Sequence, residues 1–127
     1  MYTYKVQSLV KVIDGDTVDV IIDVGFSIYI KKRVRVAGID TPEKRTTDLA
    51  EKEVGLKATE FAEQWFAANE GNIIVKTTIE GSTDKYGRLL GHFYAGDLCY
   101  NEMVVDAGLA WVYDGGTKEK DLSTLGT

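Results

Sequence analysis

Arg35-Val36-Ala37-Gly38-Ile39-Asp40-Thr41-Pro42-Glu43 gathers two carboxylates, a cation and a proline into nine residues. It reads as the end of a strand entering a tight turn. Pro42, the only proline of the chain, biases Thr41 away from helical geometry. Asp40 to Glu43 is therefore expected to be extended or turned. An acidic turn, Asp14-Gly15-Asp16-Thr17, lies upstream, and a basic one, Asp84-Lys85-Tyr86-Gly87-Arg88, lies downstream.

Working outward, Tyr4 to Val12 alternates as a strand, with Tyr4, Val6 and Val10 as its best apolar positions. Asp14-Gly15-Asp16 is a turn signal. Thr17 to Val24 is rich in β-branched residues and returns as a second strand. Gly25 marks the next turn, and a third strand runs from Ile28 to Ile39. Lys44 to Leu49 is a polar loop. The period then changes: Val54, Ala58, Phe61, Ala62 and Trp65 share one helical face, opposite Glu51, Lys52, Lys57, Glu60 and Glu63. Asp48 suits the N-cap and Gly71 the terminator. Asn72 to Ile79 and Arg88 to Tyr94 are the fourth and fifth strands, followed by a turn at Gly96 and Asp97. A short helix over Asn101 to Ala107 ends at Gly108, with Met103 and Val104 facing inward. Leu109 to Tyr113 is apolar. Beyond Asp114 the chain is polar, with a short helix possible around Glu119 to Leu122. A helix between the third and fourth of five strands is the order of an OB-type barrel.

A chain of 127 residues with 44% hydrophobic and 28% charged residues suits one soluble domain. No apolar run approaches the roughly 20 residues that span a bilayer, and no signal peptide is visible. Inside a cell or a virus is slightly favoured over secretion, and a monomer is the default. The single cysteine, Cys99, cannot close an intramolecular disulfide and reads as a buried thiol. The single histidine, His92, reads as a strand residue, and one His with one Cys makes no zinc pattern. The net charge of −5 argues against bulk affinity for nucleic acid. It leaves room for a local basic groove, since Lys31, Lys32, Arg33, Arg35, Lys44 and Arg45 cluster.

Asp16, Asp40 and Glu43 offer oxygen and no soft ligand, which suits calcium or magnesium. Turns are also generally rich in Asp, so spacing alone leaves a metal site and a plain charged turn both open. Arg35 and Arg88 can each present a guanidinium fork to phosphate oxygens. Cations, a hard metal and a spare carboxylate together suit phosphodiester hydrolysis.

Four segments, in order, resemble the staphylococcal nuclease (thermonuclease) family: Val12 to Val18, Arg35 to Glu43, Asp84 to Arg88, and Asn101-Glu102 through Gly108-Leu109-Ala110. The resemblance implies a mainly β, five-stranded OB-fold barrel with two helices over residues 1–127. It implies a calcium-dependent endo- and exonuclease that acts on DNA and RNA and leaves 3′-phosphates. By match of motif, Asp16 and Asp40 are calcium ligands by side chain and Thr41 by its carbonyl. Glu43 matches the general base, and Arg35 and Arg88 the phosphate-binding arginines. Lys85 and Tyr86 match positions touching a terminal phosphate of a bound nucleotide. Tyr113 is the tyrosine available to flank the base.

Two features depart from the family pattern. The chain ends soon after Tyr113, so the long third helix is expected to be absent or reduced, with 114–127 a loosely packed tail. The acidic net charge predicts weaker non-specific binding to long polymers. The alternative function is a non-catalytic nuclease-like module that binds nucleic acid or protein. That version should lack one of Arg35, Asp40, Glu43 or Arg88, and all four are present. A plain OB-fold binding module would leave the carboxylate cluster unexplained.

Overall fold

The computed structural model describes residues 2–77, 89–113 and 122–125. Three antiparallel strands come first: β1 (Tyr2–Asp14), β2 (Thr17–Asp23) and β3 (Tyr29–Val36). A short β4 (Ile39–Asp40) precedes the helix α1 (Leu49–Ala68). Strands β5 (Ile73–Thr77), β6 (Leu89–Ala95) and β7 (Leu98–Cys99) follow, then α2 (Tyr100–Asp106), β8 (Trp111–Val112) and a 3-10 turn at Leu122–Thr124. The main sheet runs β3-β2-β1-β5-β6-β7, and a parallel pairing of β3 with β6 closes it. Five strands thus form the OB-type barrel, with β7 added at its edge.

The period-2 pattern of β2 and β3 explains the barrel wall. Val18, Val20, Ile22, Val34 and Val36 are buried in the core. Thr17, Asp19, Arg33 and Arg35 take the other face, as strand alternation requires. Strand β1 corrects the sequence reading at Val10, which is 47% exposed. Register shifts fall between Val6 and Ser8, Leu9 and Lys11, and Val12 and Asp14. Each inserts one residue and reverses the alternation beyond it. Val6 and Val12 therefore face inward, while Val10 is spent at a bulge.

Helix α1 packs against this barrel through Gly55, Ala58, Thr59, Ala62, Trp65 and Phe66. Val54 and Phe61, expected on the same face, are half-buried. Asp48 caps the helix, accepting hydrogen bonds from the amides of Ala50 (3.0 Å) and Glu51 (3.3 Å). At the other end Asn69 follows the last turn, and Gly71 turns the chain with φ of 84°. Phe66 meets Phe93 of β6 edge-on at 5.0 Å and lies 5.8 Å from Tyr100 of α2, which ties the helices to the barrel. Val104 of α2 is fully buried and Met103 packs beside the core. Cys99 is a buried free thiol.

The third strand is shorter than the sequence pattern suggests. It stops at Val36, where β3 pairs with Gly91 of β6 and the barrel closes. The Ala37 amide donates to the Gly91 carbonyl, and Gly38, at φ of 78°, turns the chain into β4. Ile39 and Asp40 then pair with Val112 and Trp111 of β8. The apolar Leu109–Tyr113 stretch thus carries the strand that braces Asp40. The expected tail, 114–127, falls mostly outside the described residues.

Candidate active site

Arg35 lies at the end of β3, opposite Thr17 in β2. That rung puts it beside the Asp14–Asp16 turn, which joins β1 to β2. Its Nη1 donates to the carbonyl of Val36 at 2.9 Å and to that of Asp16 at 3.4 Å. Its Nη2 lies 3.2 Å from Asp40 Oδ1 and 3.7 Å from Asp16 Oδ2. Only 11% of the Arg35 side chain is exposed, and both aspartates are buried. One guanidinium is therefore shared by two buried carboxylates.

Asp16 is held on both oxygens. Thr17 Oγ1 donates to Oδ1 at 3.1 Å, and the Thr41 amide donates to Oδ2 at 3.1 Å. Thr41 is buried, and its Oγ1 has no hydrogen-bond partner among the described residues. Asp16, Asp40, Thr41 and Arg35 thus converge from two turns and a strand end. Glu43 is exposed. Its amide donates to Glu51 Oε2 of α1 at 3.2 Å. Tyr113 donates its amide to the Gly38 carbonyl at 2.8 Å, so it is held against the turn that carries Asp40. Lys85, Tyr86 and Arg88 lie outside the described residues. Strand β6 begins at Leu89, and Leu90 pairs with Arg35.

The electrostatics follow from this crowding. Burial pushes the Asp14 carboxyl above its ordinary range, and the charges of Asp16 and Glu43 push the same way against Lys44 and Arg45. Among the described residues no three His, Cys, Asp or Glu side chains group to hold a metal. The donors on offer are two carboxylates and the backbone or hydroxyl oxygen of Thr41. Two carboxylates buried close together repel each other, and burying charge is costly in a protein interior. A hard divalent cation with oxygen ligands and bound water fits that donor set.

Several residues that hold the site are illegible in the sequence pattern. Tyr100 is fully buried and its hydroxyl donates to the Gly15 carbonyl, pinning the Asp14–Asp16 turn. Burial, with the nearby Asp16 charge, raises its phenol far above the ordinary value and keeps it a donor. Asn101 accepts from the Phe93 amide at 3.1 Å and donates to the Ala37 carbonyl at 2.8 Å, stitching β6 to the turn after Arg35. Gly55 of α1 sits directly beneath the loop that carries Pro42 and Glu43. A Cβ there would lie 2.7 Å from the Pro42 carbonyl oxygen and 2.9 Å from the Glu43 carbonyl. The helix therefore seats Glu43 through Gly55 and Glu51. The Asn101-Glu102 segment was a legible signal for α2, but no local pattern announces a close approach between Gly55 and a loop.

Two buried aspartates thus share a buried arginine where the OB-type barrel closes. The family model described as staphylococcal nuclease homologue matches residues 33–125, and the chain belongs to that family. An "Uncharacterized endonuclease" of Escherichia coli O157:H7 is 35% identical over 107 residues, covering 84% of this chain and 60% of that protein. "Protein ParB" of Escherichia coli is 32% identical over 116 residues, covering 83% of this chain and 55% of that protein. The "Thermonuclease" of Staphylococcus hyicus is 30% identical over 108 residues, covering 85% of this chain and 57% of that protein. The chain thus spans between half and two thirds of the length of these relatives. No helix among the described residues is long and apolar enough to cross a membrane.

Proposed function

We propose that the chain is a calcium-dependent phosphodiesterase that hydrolyses DNA and RNA to products ending in 3′-phosphates. The observation that carries this reading is the buried Arg35 guanidinium, shared between Asp16 and Asp40 at 3.7 and 3.2 Å. Asp16, Asp40 and the Thr41 carbonyl would hold the cation. When bound, the cation polarises a phosphoryl oxygen and neutralises charge in the transition state.

The remaining steps belong to the chain's own residues. Arg35 and Arg88 bind the phosphoryl oxygens and stabilise the charge that develops on them. Glu43 accepts a proton from water as its oxygen attacks phosphorus. The bond from phosphorus to the 5′-oxygen breaks, and that oxygen leaves as a hydroxyl after taking a proton from bulk water. Lys85 and Tyr86 take the terminal phosphate, and Tyr113 flanks the base. The exposed position of Glu43 gives it access to water, and the bond from its amide to Glu51 fixes the loop that carries it.

Digestion of single-stranded DNA with and without calcium tests this reading. Cleavage that chelation abolishes is the expected result. Undiminished cleavage in chelator overturns the metal role, and binding without cleavage at saturating calcium favours a non-catalytic module. Glu43→Gln should lower turnover by about 10²–10⁴-fold. A change below about threefold removes Glu43 as the base. Calcium at 100 times its Kd should also raise stability by about 2.7 kcal/mol, and Asp16→Asn should abolish the accompanying rise in Tm.

A further inference from the structure

Asp16 sits between two peptides that different parts of the fold hold. The peptide after it is tied to β3: its carbonyl accepts from the Val36 amide at 2.8 Å and from Arg35 Nη1 at 3.4 Å. The peptide before it runs from the Gly15 carbonyl to the Asp16 amide and is a rigid plane. That carbonyl accepts a hydrogen bond from the Tyr100 hydroxyl, a group 85 residues further along the chain. Asp14 pairs with Thr17 across the hairpin, so Gly15 and Asp16 are its whole loop. Fixing the Gly15 carbonyl therefore fixes the direction in which the Asp16 side chain leaves the turn.

Gly15 is needed for room, since its φ is not positive. A Cβ there would lie 2.8 Å from Ala58 Cβ of α1 and 2.9 Å from Thr41 Cγ2. The loop is thus pressed between α1 and the residue after Asp40, with Tyr100 bonded to its carbonyl.

The Tyr100 side is set as firmly. The residue is fully buried. Its ring centroid lies 5.4 Å from that of Trp65, 5.8 Å from Phe66 and 6.2 Å from Phe61, all on α1. Close packing of this kind keeps a side chain in one rotamer. A phenylalanine would fill the same space without taking a polar group out of water. The use of the hydroxyl is its bond to Gly15, beside the residue whose carboxylate is offered to the cation.

We infer that Tyr100 is a positioning residue for the cation. Acting through the Gly15 carbonyl, its hydroxyl presets the Asp16 carboxylate before the cation arrives. Affinity rises because less order remains to be imposed on binding. The inference rests on the calcium reading above and adds to it a residue of α2, outside the turns that bear the ligands.

Calorimetric titration of the whole chain with calcium tests it. Tyr100→Phe keeps the ring and removes the hydroxyl. Its calcium Kd should be about tenfold weaker than wild type, as for other groups that orient metal ligands. The calcium needed for half-maximal cleavage of single-stranded DNA should rise by the same factor, so that added calcium rescues the variant. Val104→Ala opens a core cavity one turn further along α2. It should lower Tm and leave the calcium Kd as in wild type. An unchanged Kd in Tyr100→Phe beside a lowered Tm reduces the hydroxyl to a structural role and overturns the inference. Linkage supplies a check on the wild type that needs no variant to fold. Calcium must favour the bond by the factor by which the bond favours calcium. Exchange of the Tyr100 hydroxyl proton, followed by NMR, should therefore slow on adding calcium more than exchange of the Val104 amide does. Equal slowing overturns the inference too. A wild type that takes up no calcium removes the calcium reading and this inference together. Calcium uptake that is the same in wild type and Tyr100→Phe removes the inference alone.

Discussion

Two arginines on adjacent same-face rungs of one ladder meet aspartate in opposite ways. Arg33 faces Asp19 one to one, through a two-pronged ion pair with half of the arginine side chain in solvent. Arg35 is buried, tethered by the carbonyls of Val36 and Asp16, and shared by Asp16 and Asp40. The first pair balances its charges and needs nothing more. The second shares one guanidinium between two buried carboxylates, and backbone carbonyls hold the arginine as well as its ion partners. Residue type and strand position are the same, so the difference comes from what the neighbouring turns bring in.

The largest effect should come from breaking the Arg35 side of the comparison. Arg35→Gln removes the shared cation from two buried carboxylates and should cost about 3–5 kcal/mol in chemical denaturation without metal. Arg35→Lys keeps the charge but loses the fork, and kcat should fall by about 10²–10³-fold. A rate near wild type for the lysine variant would mean that Arg35 acts by simple charge attraction.

Gly55→Ala tests the same side from beneath. The new Cβ would press on backbone atoms of Pro42 and Glu43. Backbone cannot rotate away as a side chain can, so the loop or the helix must move. Overpacking of this kind costs about 1–3 kcal/mol. Turnover should fall further than KM rises, because Glu43 is displaced while Arg35, held by the carbonyls of Val36 and Asp16, stays in place. Unchanged kcat with lowered Tm would show that Gly55 serves packing alone.

Arg33→Gln should be the mildest. Its half-exposed ion pair is screened by solvent, and the loss should stay below about 1 kcal/mol. The pH dependence sharpens the point. Asp19 has a folded-state pKa depressed below the ordinary 3.8, mainly by its hydrogen bonds to Arg33. Its contribution to stability is full above pH 3.8 and is lost as pH falls below that toward the depressed value. The Tm difference between wild type and Arg33→Gln should therefore persist from pH 7 down to about 4 and close below it. A difference that closes already near pH 6 would tie the stabilisation to another group.

Much of the barrel was legible because its strands are short, β-branched and separated by turn residues. The Asp48 cap and the break at Gly71 were legible for the same local reason. Val10 was not, since a bulge changes which parity faces inward and no single strand records its partner's register. The break at Ala37-Gly38 was hidden for a related reason: it is set by where β6 closes on β3. In the site, Arg35, Asp16, Asp40 and Thr41 were all named from the sequence and all converge. Tyr100, Asn101, Glu51 and Gly55 were not singled out for the site. Their contribution is a bond or a close approach to backbone far along the chain.

By itself, the sequence determined the local chemistry: which segments become strands, where the helix starts and stops, and that carboxylates and arginines recur in the order of the staphylococcal nuclease family. Those properties depend on neighbours within a few residues, where propensity and turn geometry act. Only the tertiary structure decided that Arg35 is buried between two aspartates while Arg33 balances one. Burial and shared partners are properties of space, and the pairing of β2 with β3 brings together groups that the chain keeps 19 residues apart.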